Sequence, residues 1–184
     1  MNQSGAGNRL PVMRATGTTL PREYYVSPDI FEREHEKIFS KQWTYAGHIS
    51  QVPKIGDYFL HDFAGENLII VRESADRLRA HYNVCRHRGS RIADAKSGNV
   101  RNFICPYHQW NYGLDGSLRR APMMPNAECI DYGKLSLFPA SVEVWAGMIF
   151  INLSPDPEVS LSEELGTPGE GLMRLQPDHM KEIH

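Results

Sequence analysis

The chain of 184 residues is long enough for one full domain but too short for two large ones. Hydrophobic residues make up 41% of it and charged residues 23%, which excludes a disordered or fibrous protein. A net charge of −2 provides no basic field for a nucleic-acid backbone, and no apolar stretch approaches the roughly 20 residues that span a bilayer. We therefore expect neither nucleic acid nor a membrane as a partner. Three cysteines and an N-terminus without signal-peptide features predict a cytoplasmic protein with reduced thiols.

The N-terminal fifth of the chain divides into a predicted flexible tail and a predicted helical arm. Residues 1–19 are rich in Gly, Ser and Thr and contain few large apolar groups. Ser27 followed by Pro28 is typical of a helix start, with Ser27 as the cap. Apolar residues then recur on one face, which predicts a helix over residues 28–39 within an arm over 20–42.

From residue 43 onward the hydrophobic period shortens toward two, which predicts β-strands. The predicted strands are residues 57–63, 67–72, 78–84, 100–104 and 142–153. The predicted turns between them are residues 64–65, 74–76, 97–99 and 115–116. Short strands of this kind predict a mostly β fold, a small antiparallel sandwich or barrel over residues 43–153. Two prolines close after residue 153 predict a linker over residues 154–184.

Two Cys-plus-His pairs are the most informative feature of the sequence. Cys85 and His87 are followed, after 17 intervening residues, by Cys105 and His108. Tetrahedral zinc accepts two thiolates and two imidazoles, so a structural zinc site is one interpretation. A Rieske [2Fe-2S] cluster, in which two cysteines hold one iron and two histidines the other, is the second. Because each loop contributes one residue of each type, the spacing favours the Rieske cluster over zinc and over four ordinary core residues.

The flanks of these pairs resemble a known family. Residues 82–89 and 105–116 resemble the two cluster loops of the α subunits of Rieske non-haem iron oxygenases, also called ring-hydroxylating oxygenases. The resemblance extends over residues 21–153. It implies a Rieske-type β domain whose [2Fe-2S] cluster is bound by Cys85 and Cys105 on one iron and by His87 and His108 on the other.

The resemblance also implies a function. An NAD(P)H-dependent reductase or a ferredoxin would reduce the cluster, which would pass electrons to a mononuclear Fe(II) in a separate catalytic domain. That iron would hydroxylate or demethylate a small aromatic or quaternary ammonium substrate with O2, and the full-length form would be a homotrimer. Residues 154–184 would then begin the connection to a catalytic domain that this chain lacks, leaving it inactive as an oxygenase by itself. Two alternatives stay open: a stand-alone Rieske electron carrier and a structural zinc module.

Several other residues invite a functional interpretation. His179 and His184 have the spacing of the family's histidine pair for the catalytic iron, but no residues remain to supply the distant carboxylate, so we interpret them as part of a surface helix. Cys129 lies outside both loops and is expected to be a buried, inert thiol. Trp110 is expected to pack under the cluster loop, and Arg86 is not counted as a site residue.

Overall fold

The computed structural model describes residues 19–124, 131–166, 171, 173–175 and 177–180. Its α-helices are α1 (Glu23–Val26), α2 (Pro28–Glu34) and α3 (Leu161–Leu165). Its strands are β1 (Thr44–His48), β2 (Asp57–Phe63), β3 (Glu66–Arg72), β4 (Leu78–Tyr82), β5 (Ser97–Asn99), β6 (Phe103–Ile104), β7 (Asn111–Tyr112), β8 (Leu118–Arg120), β9 (Pro139–Trp145) and β10 (Met148–Asn152). The predicted mostly β fold is confirmed.

The strands form two antiparallel sheets. Seven strands are ordered β1-β10-β9-β4-β3-β2-β5 in a curled sheet that makes half a barrel. The other three strands form a small sheet in the order β6-β7-β8. The residues expected to hold a metal lie on the loops that precede β5 and connect β6 to β7.

Strand β3 separates two hydrophobic cores. Its residues Leu68, Ile69, Ile70 and Val71 are all fully buried. Because side chains alternate between the faces of a strand, Ile69 and Val71 pack into a core with the small sheet, whereas Leu68 and Ile70 pack into a core inside the large sheet. The first core also contains both site cysteines, so the site is anchored directly on the centre of the large sheet.

The site-bearing part of the chain leaves the large sheet at the end of β4 and finally rejoins it at β9, next to the point of departure. The backbone N–H of Tyr82, at the end of β4, donates to the carbonyl of Phe138, just before β9, over 2.9 Å. Strands β4 and β9 then pair through only two residue pairs, Ala80 with Ala140 and His81 with Pro139. The loops and the small sheet therefore form an excursion that starts and ends on two neighbouring strands, and within it β5 adds to the other edge of the large sheet beside β2.

The predicted helix over residues 28–39 is confirmed in its extent, although α2 continues as a π-helical turn over His35–Phe39. Ser27 occupies the N-cap position as predicted, but its side chain makes no capping hydrogen bond. The ring of Phe39 packs edge-on against Phe63, with ring centroids 6.2 Å apart. The His35 imidazole bonds the carbonyl of Ala64 at the turn between β2 and β3. The arm is thereby attached to one end of the large sheet.

Two predicted elements were wrong. Residues 97–99 were expected to form a turn but are edge strand β5, which pairs with β2. Gly98 fits this edge because a side chain there would press on the ring of Tyr58. The predicted strand over 142–153 is instead part of a hairpin of β9 and β10, with Ala146 and Gly147 at its turn in left-handed conformations.

Shorter elements also differ from the prediction. The strand predicted over residues 100–104 is confined to β6, and β1, β7 and β8 were not predicted. Beyond residue 153, helix α3 is capped by Ser160, and Glu164 of α3 accepts from the backbone N–H of Trp43. The first part of the predicted linker thus packs against the start of the domain. None of the described helices has the length and apolar character needed to cross a membrane.

Candidate metal centre

The first loop carries Cys85 and His87 and closes on itself through the backbone. The N–H of Cys85 donates to the carbonyl of Ser90 over 2.8 Å, and the N–H of Gly89 donates to the carbonyl of Cys85 over 2.9 Å. Gly89 has a φ of +71°, a left-handed conformation that glycine adopts without steric cost. The loop is therefore a closed turn that presents His87 at its tip.

The second loop, which carries Cys105 and His108, repeats the same hydrogen bonds. The N–H of Cys105 donates to the carbonyl of Trp110 over 2.8 Å, and the N–H of Gln109 donates to the carbonyl of Cys105 over 3.0 Å. Gln109 occupies the position equivalent to Gly89 and is also left-handed, with a φ of +58°. The two loops therefore have the same backbone turn, although their amino-acid sequences differ.

Buried Asn83 fixes the first loop to the sheet. Its Oδ1 accepts from the backbone N–H groups of Ile92 and Ala93, over 2.9 and 3.0 Å. Its Nδ2 donates to the carbonyl of Ala93 and to Oδ1 of Asn67, both over 2.7 Å. The buried Asn83 amide thereby links the start of the loop to the backbone at its end and to β3, and both its oxygen and its nitrogen are hydrogen-bonded.

The structure brings all four predicted ligand residues together. The imidazole rings of His87 and His108 lie edge to face, with centroids 4.6 Å apart. The thiols of Cys85 and Cys105 are close enough to hydrogen-bond each other, and both cysteines are buried and free of disulfides. The site therefore has an inner pair of sulfur atoms and an outer, half-exposed pair of imidazoles.

These residues fit a [2Fe-2S] cluster. Nδ1 of His108 is buried and has no hydrogen-bond partner among the described residues, as expected for a nitrogen that binds metal. No three His, Cys, Asp or Glu side chains in the described part of the chain converge on a single metal ion. A cluster with two protein ligands per iron requires no such triplet, since its sulfides complete each coordination shell.

Tyr112 adds a polar contact to the inner pair. Its hydroxyl oxygen lies 3.3 Å from Sγ of Cys85 and accepts from the backbone N–H of Arg86 over 3.2 Å. Because the oxygen accepts from Arg86, its own hydrogen is free to point at the sulfur. Burial raises the pKa of the Cys85 thiol, and burial together with this thiol raises the pKa of Tyr112.

Each imidazole of the outer pair is covered by an aromatic ring. Trp110 lies parallel to His87, with an interplanar angle of 9°. Tyr107 lies over His108, with ring centroids 3.9 Å apart. Trp110 is 1% exposed, whereas Tyr107 is 59% exposed. Trp110 therefore packs beneath the site as predicted, while Tyr107 covers His108 on the solvent side.

The structure describes two of the other residues singled out in the sequence, Arg86 and His179. The Arg86 guanidinium is held in place by the carbonyl of Ser136 and by the ring of Phe138, which lies 3.7 Å below it. His179 belongs to a 3-10 turn, Pro177–His179, whereas His184 and Cys129 lie outside the described residues.

The sequence analysis missed the roles of Asn83 and Tyr112. Both residues stand inside the segments that resemble the family loops, but their partners are distant in the chain. Tyr112 is two positions after Trp110, so a strand period places both on the buried face, and this period is the one sequence signal for its position. Asn83 carries no such signal, because a buried Asn and a surface Asn look alike in sequence.

Comparison with known proteins decides the nature of the site. The family model described as "Rieske [2Fe-2S] domain" matches residues 42–139, which is more than half of the chain. The chain belongs to the Rieske [2Fe-2S] domain family. The cofactor of this Rieske domain is thus the iron–sulfur cluster, and the interpretation as a zinc module is not supported.

Curated relatives of this Rieske domain are oxygenase subunits. The carnitine monooxygenase oxygenase subunit of Acinetobacter baumannii is 42% identical over 136 residues, which cover 73% of this chain and 36% of that protein. The glycine betaine monooxygenase oxygenase subunit of Chromohalobacter salexigens is 34% identical over 163 residues, covering 89% and 36%. The biphenyl 2,3-dioxygenase subunit alpha of Rhodococcus jostii is 37% identical over 145 residues, covering 77% and 31%. The chain thus spans about a third of the length of these relatives.

Solved structures agree with these relatives. The quaternary ammonium Rieske monooxygenase CntA, in complex with γ-butyrobetaine, superposes with a TM-score of 0.83 at 35% identity, covering 89% of this chain and 47% of that chain. Naphthalene 1,2-dioxygenase with indole bound superposes with a TM-score of 0.73 at 31% identity, covering 78% and 33%. Both groups of Rieske oxygenases therefore share the fold of this chain.

Proposed function

We propose that this Rieske domain is the electron-transfer part of an oxygenase subunit, and that Cys85, Cys105, His87 and His108 hold its cluster. The observation that carries the proposal is the pairing of two buried, adjoining thiols with two adjoining imidazoles on two equivalent turns. The [2Fe-2S] cluster supplies one-electron redox chemistry when bound.

The residues around that cofactor have different roles. Cys85 and Cys105 are buried in the core next to β3, so water is excluded from the sulfur side. His87 and His108 are half-exposed, so the imidazole side is where electrons enter and leave and where protons exchange with solvent. Tyr112 directs its hydroxyl hydrogen at Cys85, and a donor to a ligand sulfur stabilises the more negative, reduced state.

We propose further that the electron acceptor is a mononuclear Fe(II) in a catalytic domain outside these 184 residues. Residues 20–42 would be the helical arm, 43–153 the Rieske domain, and 154–184 the connection to the catalytic domain. The donor would be an NAD(P)H-dependent reductase or a ferredoxin, and the full-length subunit would form a homotrimer. Among substrates, we propose a quaternary ammonium compound over an aromatic one. The carnitine monooxygenase relative supports that order, because it is 42% identical to this chain and the biphenyl dioxygenase relative is 37% identical.

The cofactor and its ligands are tested by metal analysis and electron paramagnetic resonance. Protein purified without oxygen should hold about two irons and two acid-labile sulfides per chain, and give a Rieske-type spectrum after reduction. His108→Ala and Cys105→Ser should abolish that spectrum. His61→Ala and Cys129→Ser are matched controls that should retain it. One zinc without sulfide, or an unchanged spectrum in His108→Ala, would contradict the proposal.

The substrate class is tested with the complete subunit. The subunit is incubated with reductase, NAD(P)H and O2, together with carnitine, glycine betaine or biphenyl, and the products are identified by mass spectrometry. Substrate-dependent product from a quaternary ammonium compound supports the proposed order. Product from biphenyl alone reverses it.

A further inference from the structure

Arg86 lies between two of the proposed cluster ligands, Cys85 and His87. Its backbone N–H donates to the hydroxyl oxygen of Tyr112 over 3.2 Å, and this oxygen lies 3.3 Å from Sγ of Cys85. The backbone of Arg86 is therefore fixed directly beside the inner pair of sulfur atoms.

The side chain of Arg86 is held against the residues that precede β9. Its Nη1 donates to the carbonyl of Ser136 over 3.1 Å, and its Cζ lies 3.7 Å from the centroid of the Phe138 ring. Leu137, between these two residues, is buried in the same core as Cys85. The half-buried Arg86 side chain therefore has a defined position beside the core that contains the site cysteines.

The positive charge of Arg86 is not neutralised by the residues around it. None of the ion pairs within the described part of the chain involves Arg86. Four other charged residues line the same cavity: Arg79, Lys134, Asp115 and Glu143. The first three each form an ion pair with another residue, and Glu143 is exposed, so water screens its charge. A carbonyl and an aromatic ring thus stabilise this guanidinium without cancelling its charge.

A fixed positive charge near a redox centre favours its reduced state. Reduction adds one electron to the cluster and makes it more negative by one unit, whereas an arginine stays positively charged in both states. Their attraction is therefore stronger after reduction, and burial strengthens it further by lowering the effective dielectric constant. A half-buried charge is also screened less by salt than an exposed charge is.

We propose that the charge of Arg86 raises the reduction potential of the cluster, and that Ser136 and Phe138 hold the guanidinium in the position from which it acts. The inference rests on the proposed function and adds to it a residue that sets the driving force for electron transfer. Because Ser136 and Phe138 lie where the excursion rejoins the large sheet at β9, this charge is positioned by the sheet as well as by the loop that carries it.

Redox titration of the holoprotein tests this proposal. Dithionite with mediator dyes is the reductant, and electron paramagnetic resonance is the readout. Arg86→Gln removes the charge but keeps an amide that can donate to Ser136. We expect the equilibrium constant for one-electron reduction to fall about tenfold, which is about 59 mV. Arg86→Lys keeps the charge and should retain most of the potential.

Arg88→Gln is the matched control, because Arg88 lies on the same loop and is exposed. At low salt, this variant should lower the equilibrium constant by about twofold at most, and at high salt the effect should disappear. The effect of Arg86→Gln should persist at high salt, because Arg86 is half-buried.

The holding role of Phe138 is tested by removing its ring. Phe138→Leu leaves the charge of Arg86 but removes the surface on which it rests, so the equilibrium constant should fall about threefold. Arg86→Gln combined with Phe138→Leu should be no lower than Arg86→Gln alone, because the ring acts through Arg86. An equal effect of Phe138→Leu with and without the arginine would contradict the holding role.

The outcomes separate this proposal from the proposed function. Absence of a Rieske spectrum in the unmodified protein would overturn the proposed function itself. An intact spectrum with an unchanged potential in Arg86→Gln, or with a potential in Arg86→Lys as low as in Arg86→Gln, would overturn the role of Arg86 alone. Equal effects of Arg86→Gln and Arg88→Gln at high salt would do the same. If Arg86→Gln binds no cluster, Phe138→Leu decides, since it keeps all four ligands and Arg86, and an unchanged potential in it overturns the proposal.

Discussion

The indole of Trp110 is stacked on the imidazole of His87, with ring centroids 4.8 Å apart and an angle of 9° between the planes. Trp110 is buried among the residues that pack against β3, whereas His87 is half-exposed. Trp110 therefore connects the hydrophobic core to His87, a proposed ligand, and fixes the plane of its imidazole.

Replacing Trp110 should loosen the outer pair. Trp110→Leu keeps an apolar side chain but removes the stacking surface, and an aromatic pair contributes about 1 kcal/mol beyond its buried area. We expect the cluster to be lost about fivefold faster in the presence of an iron chelator, measured from the visible absorbance. Trp110→Phe keeps a ring, so its rate of cluster loss should lie between those of Trp110→Leu and the unmodified protein. Equal rates in Trp110→Leu and the unmodified protein would contradict this role.

Tyr112 should raise the reduction potential of the cluster. Tyr112→Phe removes the hydroxyl that faces Cys85. A hydrogen bond of about 1 kcal/mol that favours the reduced state corresponds to about 40 mV for one electron, so the potential should fall by that amount. Tyr82→Phe is the matched control, because its hydroxyl donates to the carbonyl of Leu153 instead. Redox titration followed by electron paramagnetic resonance measures both, and an equal shift in the two variants would exclude a specific effect.

Gly116 should be essential for stability because of two separate costs. Its φ is +80°, and a side chain would collide with the ring of His81. Gly65 has nearly the same φ of +82° but open space around it, so Gly65→Ala isolates the backbone cost. We expect urea unfolding to show a loss of about 1 kcal/mol for Gly65→Ala and about 3 kcal/mol for Gly116→Ala. Equal losses would mean that the His81 ring moves aside.

Asn83 should be needed to hold the first loop. Asn83→Ala leaves the N–H groups of Ile92 and Ala93 without their acceptor, and buried donors without partners cost about 1–3 kcal/mol each. We expect a lower free energy of unfolding and a lower cluster content per chain. Asn102→Ala removes one half-buried hydrogen bond, to Asn111, and is the control that should retain the cluster. Full cluster content in Asn83→Ala would contradict the anchoring role.

Acidification should destabilise the protein through His81. Burial lowers the pKa of this imidazole, and its hydrogen bond to the carbonyl of Leu114 opposes that shift only in part. Between this lowered pKa and the usual value of about 6.5, the unfolded chain binds a proton that the folded chain does not. The free energy of unfolding should therefore decrease as the pH falls below about 6.5, by up to about 1.4 kcal/mol per pH unit.

The charged neighbours of His81 do not reverse the lowering of its pKa. Arg79 also lowers its pKa, while Asp115 and Glu73 raise it by smaller amounts than burial lowers it. Urea unfolding at pH 7.5, 6.5 and 5.5 measures the slope in the unmodified protein and in His81→Asn. The slope should be smaller in His81→Asn, and parallel curves would show that other groups cause the acid sensitivity.

Elements rich in aromatic and β-branched residues were predictable from sequence. Strand β2 has three aromatic residues among its seven, of which Tyr58 packs into one core and Phe59 into the other, and its predicted limits agree with the structure. Strand β5 was missed because its Ser-Gly-Asn sequence is also typical of a turn, and only pairing with β2 makes it a strand. The hairpin of β9 and β10 was missed because alanine rarely adopts a left-handed conformation, so Ala146 did not indicate a turn.

The candidate site was predictable only in part, for a similar reason. The spacing of Cys85, His87, Cys105 and His108 follows from two short turns, and local sequence describes short turns well. The Tyr112 contact and the Asn83 network join residues that are far apart in the chain. Such contacts depend on how the sheets pack, and one sequence contains no direct record of that packing.

The hydrogen bond from Tyr82 to Phe138 has a consequence for biogenesis. Because the redox excursion starts and ends on adjacent strands, most of the large sheet can form before any iron is delivered. We therefore expect iron–sulfur assembly to act on a sheet that has already formed. The excursion also pairs with the far side of that sheet through β5, so a sheet that received it by transplantation would need a strand equivalent to β2 as well as two antiparallel neighbours.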